Sequence, residues 1–404
     1  MTRTYLNYIG GEWTTSRTGE VFPSINPART HEVLGYFQKS GSEDVRLAIE
    51  AADKAFSAWS RTSAPQRGEF VFRLISLLEA RQEELAETIT REVGKTLREA
   101  RGEVTKTILS MKQLAGEATR LTGQTVPSYD ERVFAYTIRE PIGVFAIIAP
   151  WNFPLGIGLW KIVPAIVAGN TVVFKPASNT SLISVKLVEL LIESGVPAGV
   201  VNLVTGPGAA IGEELTRNPL VKGISFTGSS EVGMALGKAV GARGGRMQAE
   251  MGGKNPAVIL ADADVDWAVE CIVSSGFLDN GQRCTGTSRV IVVPEVADAV
   301  KAKLIARAKA LKVGDGFDPA NDNGPVADEA QLKTYLHYVQ KGQEEGATLA
   351  CGGTRLTDAG REHGYFVAPT VFTDVTPDMT IAQEEIFGPV ISVIDADSFE
   401  QALA

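Results

Sequence analysis

Cysteine and histidine are scarce: Cys271, Cys284 and Cys351, with His31, His337 and His363, are all that 404 residues contain. Three cysteines cannot form a disulfide framework, and none of these residues shows zinc-ligand spacing, so no metal site is expected. Such usage fits a reducing, cytoplasmic setting. Cations are not in excess either. The 39 Lys and Arg face 48 Asp and Glu, a formal charge of -9, which argues against nucleic acid and anionic membrane surfaces as partners. The opening stretch from Met1 to Trp13 lacks an apolar core of signal-peptide length. Only Leu155 to Phe174 forms a long apolar run, and Lys161, Pro164, Gly169 and Asn170 interrupt it; it reads as a buried helix followed by a strand rather than a membrane span. Internal repeats, low-complexity tracts and a G-x-S-x-G elbow are absent, which disfavours a serine hydrolase.

What is present is ordinary globular composition, 44% hydrophobic and 22% charged, at a length that calls for two or more domains. From Ser42, placed to cap, Val45, Ala48, Ile49, Ala52, Phe56 and Trp59 repeat at helical spacing. A longer helical region runs from about Pro65 to Gly94, and another reaches toward Ala118. Arg132 to Arg139 reads as a strand outside the main core, an arm within 122–140. Four short apolar runs follow, each leading into a helical stretch: Gly143–Ala149, Thr171–Phe174, Val200–Val204 and Gly223–Phe226. Strands alternating with helices predict a parallel sheet that binds ligands beyond the carboxyl ends of its strands. A second α/β segment begins near Glu250 and includes Ala257–Leu260 and Ser288–Val293, with a soft boundary around 250. Ser398 to Gln401 has the pattern of a capping box with too few residues after it to complete a helix, so the chain is expected to continue.

The strand ends carry the chemistry. Gly206-Pro-Gly208-Ala-Ala-Ile-Gly212 approaches the dinucleotide fingerprint with one residue too many in its last interval, and it fits a tight strand-to-helix turn equally well. Phe226-Thr-Gly228-Ser229 opens a helix whose amides could hold a pyrophosphate; an ordinary Ser-capped helix reads the same. Lys175, closing an apolar strand, either reaches a ligand or snorkels to solvent. A lone cysteine is more often a small buried hydrophobe than a nucleophile, but Cys284 lies among Gly281, Gln282, Arg283, Thr285 and Gly286, a polar setting that favours a thiolate. Glu250 before Met251-Gly-Gly253 is either a surface turn or a general base, and Asn152 a turn residue or an oxyanion donor.

Pro150-Trp-Asn-Phe-Pro154, Lys175-Pro-Ala177, Phe226-Thr-Gly-Ser229, Glu250-Met-Gly-Gly-Lys254, Gly281-Gln-Arg-Cys284 and Glu384-Glu-Ile-Phe-Gly-Pro-Val390 occur together and in order. The combination resembles the aldehyde dehydrogenase superfamily over essentially the whole chain. That resemblance implies a Rossmann-like parallel-sheet NAD(P)-binding domain (1–121 and 141–250), an oligomerisation arm (122–140) and a second α/β catalytic domain (251–404, C-terminally incomplete). It implies Cys284 as nucleophile, Asn152 with the Cys284 N–H as oxyanion donors, and Glu250 as the base that activates water. For the cofactor it implies Trp151, Lys175, Ser178, Gly208, Phe226, Gly228, Ser229, Glu385 and Phe387, with the Gly208 turn near the adenine and the pyrophosphate at Ser229. Relatives specific for NAD often carry glutamate where this chain has Ser178, so NADP is expected to serve at least as well as NAD. The chain looks closest to dehydrogenases of 2,5-dioxopentanoate, also called α-ketoglutaric semialdehyde. An acidic semialdehyde is therefore expected, with Phe153, Trp160, Arg283 and Thr285 around it and a homodimer or homotetramer as the assembly. A broad-specificity aromatic or aliphatic aldehyde dehydrogenase, a coenzyme A-acylating enzyme and a non-catalytic nucleotide-binding relative are the alternatives. Relatives that acylate coenzyme A tend to lack the base that Glu250 supplies.

Overall fold

The computed structural model describes residues 2–404. The chain divides into two compact units, one of residues up to Ser24 with Leu34–Thr88 and Arg101–Glu250, the other of Ile25–Val33, Ile89–Ala100 and Met251–Ala404. Ile25–Val33 and Ile89–Ala100 thus fall with the second unit, although the sequence reading puts them in the cofactor-binding part. Backbone bonds that carry no sequence signature hold them there: Tyr365 N to Pro27 O at 3.0 Å, Thr30 N to His363 O at 2.8 Å and Leu97 N to Gly316 O at 2.9 Å.

The first unit begins with the short strands β1 (Asn7–Ile9) and β2 (Glu12–Thr14). A small two-stranded sheet is made of β3 (Val21–Asn26) and β4 (Arg29–Gln38). Helices α1 (Ser42–Trp59), α2 (Ala64–Ala80), α3 (Gln82–Val93) and α4 (Leu97–Glu117) follow. Ser42 is the first residue of α1 rather than its cap; Gly41 precedes the helix, and the Asp44 carboxylate reaches back to the Gly41 N–H at 3.0 Å. The helical region expected from Pro65 to Gly94 breaks at Arg81, where ψ turns to 19°. In the arm, β5 (Thr125–Val126) pairs only with β6 (Ala135–Tyr136). The strand expected over Arg132–Arg139 is shorter because a ribbon this exposed has little besides its own ladder to order it.

The main sheet then forms from β7 (Val144–Ile148), β8 (Thr171–Lys175), β9 (Val201–Leu203), β10 (Val221–Gly228) and β11 (Arg246–Met251). Its order is β11-β10-β7-β8-β9-β1-β2, with β10, β7, β8 and β9 parallel. Helices α5 (Pro154–Val167), α6 (Ser181–Glu193) and α2 cover one face; α1, α7 (Gly208–Arg217) and α8 (Ser230–Gly241) cover the other. Covered on both faces, β7 and β8 are apolar runs rather than alternating ones. Val45, Ala48 and Ile49 of α1 pack on Val144, Ala146 and Val173, each burial contributing roughly 1.5–3 kcal/mol for the larger side chains.

The second unit holds β12 (Asn255–Ile259), β13 (Thr287–Val292), β14 (Thr348–Cys351), β15 (Thr370–Thr373) and β16 (Val390–Asp395) in the order β12-β13-β16-β15-β14, with β14 antiparallel at the edge. Helices α9 (Val265–Gly276) and α10 (Pro294–Ala310) build one core with it, and α11 (Glu329–Glu344) with α12 (Thr380–Gln383) another. The Ser398 cap opens α13 (Phe399–Leu403), its Oγ accepting from Gln401 N at 3.3 Å. Among the described residues no helix is long and apolar enough to cross a membrane, and no group of three or more His, Cys, Asp or Glu could hold a metal ion.

Helix α5 lacks a side-chain cap of its own: Phe153 is its N-cap and Pro154 its first residue. The buried Glu103 of α4 substitutes, its Oε1 accepting from Leu155 N at 3.1 Å and Gly156 N at 3.2 Å. A carboxylate there meets both orphan amides and the positive end of the helix dipole. Glu103→Ala should therefore lower stability by about 2–3 kcal/mol, read as a fall in the urea midpoint; an unchanged midpoint would show that α5 does not need this cap.

Candidate active site

In the first unit the chain moves outward through β7, β8 and β9, then returns to the other side of β7 as β10. This reversal makes a switch point between β7 and β10, where the turns leaving neighbouring strands diverge and open a crevice. Trp151, Asn152 and Phe153 follow β7, with Asn152 buried and the two aromatics half-buried. Lys175 ends β8, Ser178 opens the 3-10 turn Ser178–Thr180, Gly208 starts α7, and Gly228 ends β10. Ser229 caps α8, its Oγ accepting from Val232 N at 3.4 Å.

This rim suits a dinucleotide. The twelve-residue α8 presents its first-turn amides beside Ser229. Burial lowers the Lys175 ammonium to about 8, and its one hydrogen bond runs to Pro176 O at 2.9 Å; an anionic or hydroxyl-rich ligand would supply the partners a buried cation needs. Ser178 Oγ donates to Gly206 O at 3.2 Å. The Phe226 ring is buried in the core and lies against Gly228, where a Cβ would stand 2.5 Å from its Cζ.

Glu250 is not in a turn. It lies on the edge strand β11, whose alternation sends Met247 and Ala249 inward and puts Gln248 and Glu250 on the other face. Gln248 Oε1 accepts from Lys161 Nζ at 2.9 Å and Ser225 Oγ at 2.6 Å, which turns its amide nitrogen onto Glu250 Oε1 at 2.9 Å. Lys161 of α5 also donates to Ser225 Oγ and to Phe226 O, at 2.9 and 3.1 Å. Burial lowers this ammonium to about 8, and the charge of Glu250 opposes the shift. Lys161 and Gln248 are functional neighbours that the sequence reading missed; the one signal was a lysine breaking an otherwise apolar run. Trp160, on the same helix, is 45% exposed.

In the second unit Cys284 is exposed, on the turn that leads into β13. Asn255 Nδ2 donates to Cys284 O at 2.8 Å and Gly286 O at 3.1 Å, so one amide spans the loop. Gly281, at φ +64°, passes so close to Gly388 that a Cβ would stand 2.2 Å from its carbonyl oxygen. The other cysteines are placed differently: Cys271 is exposed on α9, and Cys351 is buried, its thiol raised by that burial. Thr285 is exposed beside Cys284. Arg283 departs from the expectation that it meets a substrate carboxylate, because its Nε is paired with Asp279 at 2.7 Å and its Nη1 donates to Ser274 O at 3.3 Å.

Glu385 and Phe387 share a cavity of about 20 Å³ with Arg283 and Gly253. The Glu385 carboxylate fills the space where Gly252 has no side chain; a Cβ there would lie 1.7 Å from its Oε2. Burial raises its pKa, while the Gly253 N–H and Lys254 pull it down. Lys254 Nζ is itself buried without a hydrogen bond, and is lowered to about 8. Phe387, at φ +56°, is held by Gln331 Nε2, which donates to the carbonyls of Ile386 and Phe387 at 3.0 and 2.9 Å.

Residues 13–404 match the aldehyde dehydrogenase family. The chain is 45% identical to the alpha-ketoglutaric semialdehyde dehydrogenase of Bacillus subtilis, over 99% of this chain and 82% of that one. It is 42% identical to the 2,5-dioxopentanoate dehydrogenase of Saccharolobus solfataricus, over 96% and 80%. Among solved structures, the betaine aldehyde dehydrogenase of Staphylococcus aureus in complex with NAD+ superposes with a TM-score of 0.97 at 34% identity, covering 99% of this chain and 80% of that one. The chain belongs to the aldehyde dehydrogenase family and is an oxidoreductase that acts on aldehydes with a nicotinamide cofactor.

Proposed function

We propose that this enzyme oxidises an acidic semialdehyde, 2,5-dioxopentanoate or a close analogue, to the carboxylic acid, and that it accepts NADP at least as well as NAD. The observation that carries the substrate is the identity of 42–45% to dehydrogenases that bear that substrate in their names, over nearly the whole chain. Net, aldehyde, water and oxidised cofactor give acid, reduced cofactor and a proton.

In this reading the Cys284 thiolate attacks the carbonyl carbon and forms a C–S bond. The carbonyl electron pair moves to oxygen, and the Asn152 amide and the Cys284 N–H stabilise that oxyanion. The nicotinamide, when bound, supplies the hydride acceptor that converts this adduct to a thioester. Glu250 then takes a proton from water as it adds to the acyl carbon, the C–S bond breaks, and the thiolate leaves. Gln248, itself held by Lys161, donates to Glu250 Oε1, which supports this role. Lys175 and Ser178 would hold the adenosine ribose, Ser229 and the α8 amides the pyrophosphate, Glu385 and Phe387 the nicotinamide riboside, with Trp151 and Gly208 alongside. Phe153, Trp160 and Thr285 would wall the aldehyde. The arm at 122–140 exposes Tyr129, Phe134, Tyr136 and Ile138, which fits assembly as a homodimer or homotetramer.

At Ser178 there is no carboxylate to repel a 2′-phosphate. Ser178→Glu should lower the NADP-to-NAD ratio of kcat/KM by about 10-fold or more, the effect of a like charge at close range; an unchanged ratio would refute the assignment. Glu250→Gln should cut steady-state turnover by about 100-fold or more while keeping a burst of reduced cofactor in the first turnover, whereas Cys284→Ser should abolish both. A burst from the serine variant would contradict the cysteine chemistry. In a panel of 2,5-dioxopentanoate, succinic semialdehyde and benzaldehyde, the first should give the highest kcat/KM; preference for benzaldehyde would overturn the substrate.

A further inference from the structure

Three consecutive residues, Asp279, Asn280 and Gly281, adopt φ of +52°, +55° and +64° immediately before Gln282, Arg283 and Cys284. Two of them bear side chains, and L residues resist this left-handed region because Cβ crowds the backbone. Such a turn persists only where its surroundings impose it. Here the surroundings come from a segment about 180 positions earlier in the sequence.

Asp279 N donates to Glu99 Oε1 at 2.7 Å. The other oxygen of Glu99 is already taken, accepting from Thr96 N at 2.9 Å and Thr96 Oγ1 at 2.8 Å in a reciprocal cap of α4. Asp279 is itself buried at 5% exposure. Its Oδ2 pairs with Arg283 Nε at 2.7 Å; its Oδ1 has no hydrogen-bond donor and faces Lys95 Nζ at 3.4 Å, a lysine only 2% exposed. Neighbouring contacts agree: Asn280 Nδ2 donates to Gly324 O at 2.5 Å, and Ala327 N donates to Gln282 Oε1 at 3.0 Å. Every residue from Asp279 to Arg283 that has a side chain is therefore tied down, and Cys284 is the next in line.

We infer that Lys95 and Glu99 are positioning residues for Cys284: Glu99 holds the backbone of the left-handed turn, and Lys95 faces the Asp279 carboxylate that also pairs with Arg283. Neither touches a reacting atom. A buried carboxylate that loses its cation is left without compensation on that oxygen, and the least costly relief is rotation of the turn out of its strained region, which displaces the sulfur. The inference rests on Cys284 as the nucleophile.

The test compares Lys95→Met, Glu99→Gln and Lys95→Arg in the full chain. The readings are kcat, cofactor Kd, and the iodoacetamide alkylation rate of each cysteine, followed by peptide mass spectrometry. Lys95→Met should lower kcat by about 10- to 100-fold, the scale of a misplacement of about 1 Å, and should also lower the Cys284 alkylation rate. Cofactor Kd and the Cys271 rate should stay within about twofold, Cys351 should remain protected, and Lys95→Arg should recover most of kcat. If Lys95→Met does not fold, the same readings on Glu99→Gln decide. Unchanged Cys284 reactivity in both variants would overturn the inference, as would labelling of Cys351 in step with lost activity in Glu99→Gln, the mark of a merely structural pair. Full turnover by Cys284→Ser would instead sink the nucleophile reading, an outcome separate from these.

Discussion

A parallel sheet covered on both faces favours apolar side chains along its strands and leaves most polar groups to the strand ends, and both halves of this chain follow that tendency. In the first unit β7 is apolar throughout and buried Asn152 follows it, while β8 ends in the buried Lys175. In the second, β13 rises out of the loop that carries Cys284. Reactive groups are therefore gathered at edges by topology, and the helices behind those edges set how firmly each is held.

Firmness has an electrostatic cost that recurs across the molecule. Lys161, Lys175 and Lys254 are all lowered to about 8 by burial, and Glu99 and Glu385 are raised by it. Buried charges of this kind destabilise the fold unless partners surround them. The partners differ in kind. Lys161 has three acceptors around it; Lys254 has no hydrogen bond and only the distant charges of Glu384 and Glu385. For the three lysines, a folded pKa below the unfolded one means that the unfolded chain binds more protons between about 8 and 10.5, so their contribution to stability rises with pH across that window.

Much of this was legible in the sequence. Short apolar runs followed by helical stretches gave the parallel sheet, and the turn-forming motifs marked where its strands end. The missed parts share a cause: they depend on which side chain reaches which. Nothing local to Arg283 says that Asp279, four residues earlier, takes its guanidinium. Phe226 sits in a glycine-rich motif yet packs inward, since strand alternation rather than motif membership decides its face. For Glu250 the sequence left a surface turn or a general base open because glycines follow it, and its strand neighbours are too polar to announce the edge strand it occupies. Glu99 and Lys95 are separated from their partner by most of the first unit in sequence, a distance no periodicity can span.

Ser178 sits on a single 3-10 turn beyond the sheet, half-buried, its hydroxyl tied only to the Gly206 carbonyl. Asn152, by contrast, is buried at the start of a capped helix, and the cysteine loop is clamped from several sides. Under the proposed roles, a change at this turn would alter the coenzyme taken while leaving the groups assigned to bond-making untouched, so that electron-carrier choice and carbonyl chemistry would be separately heritable.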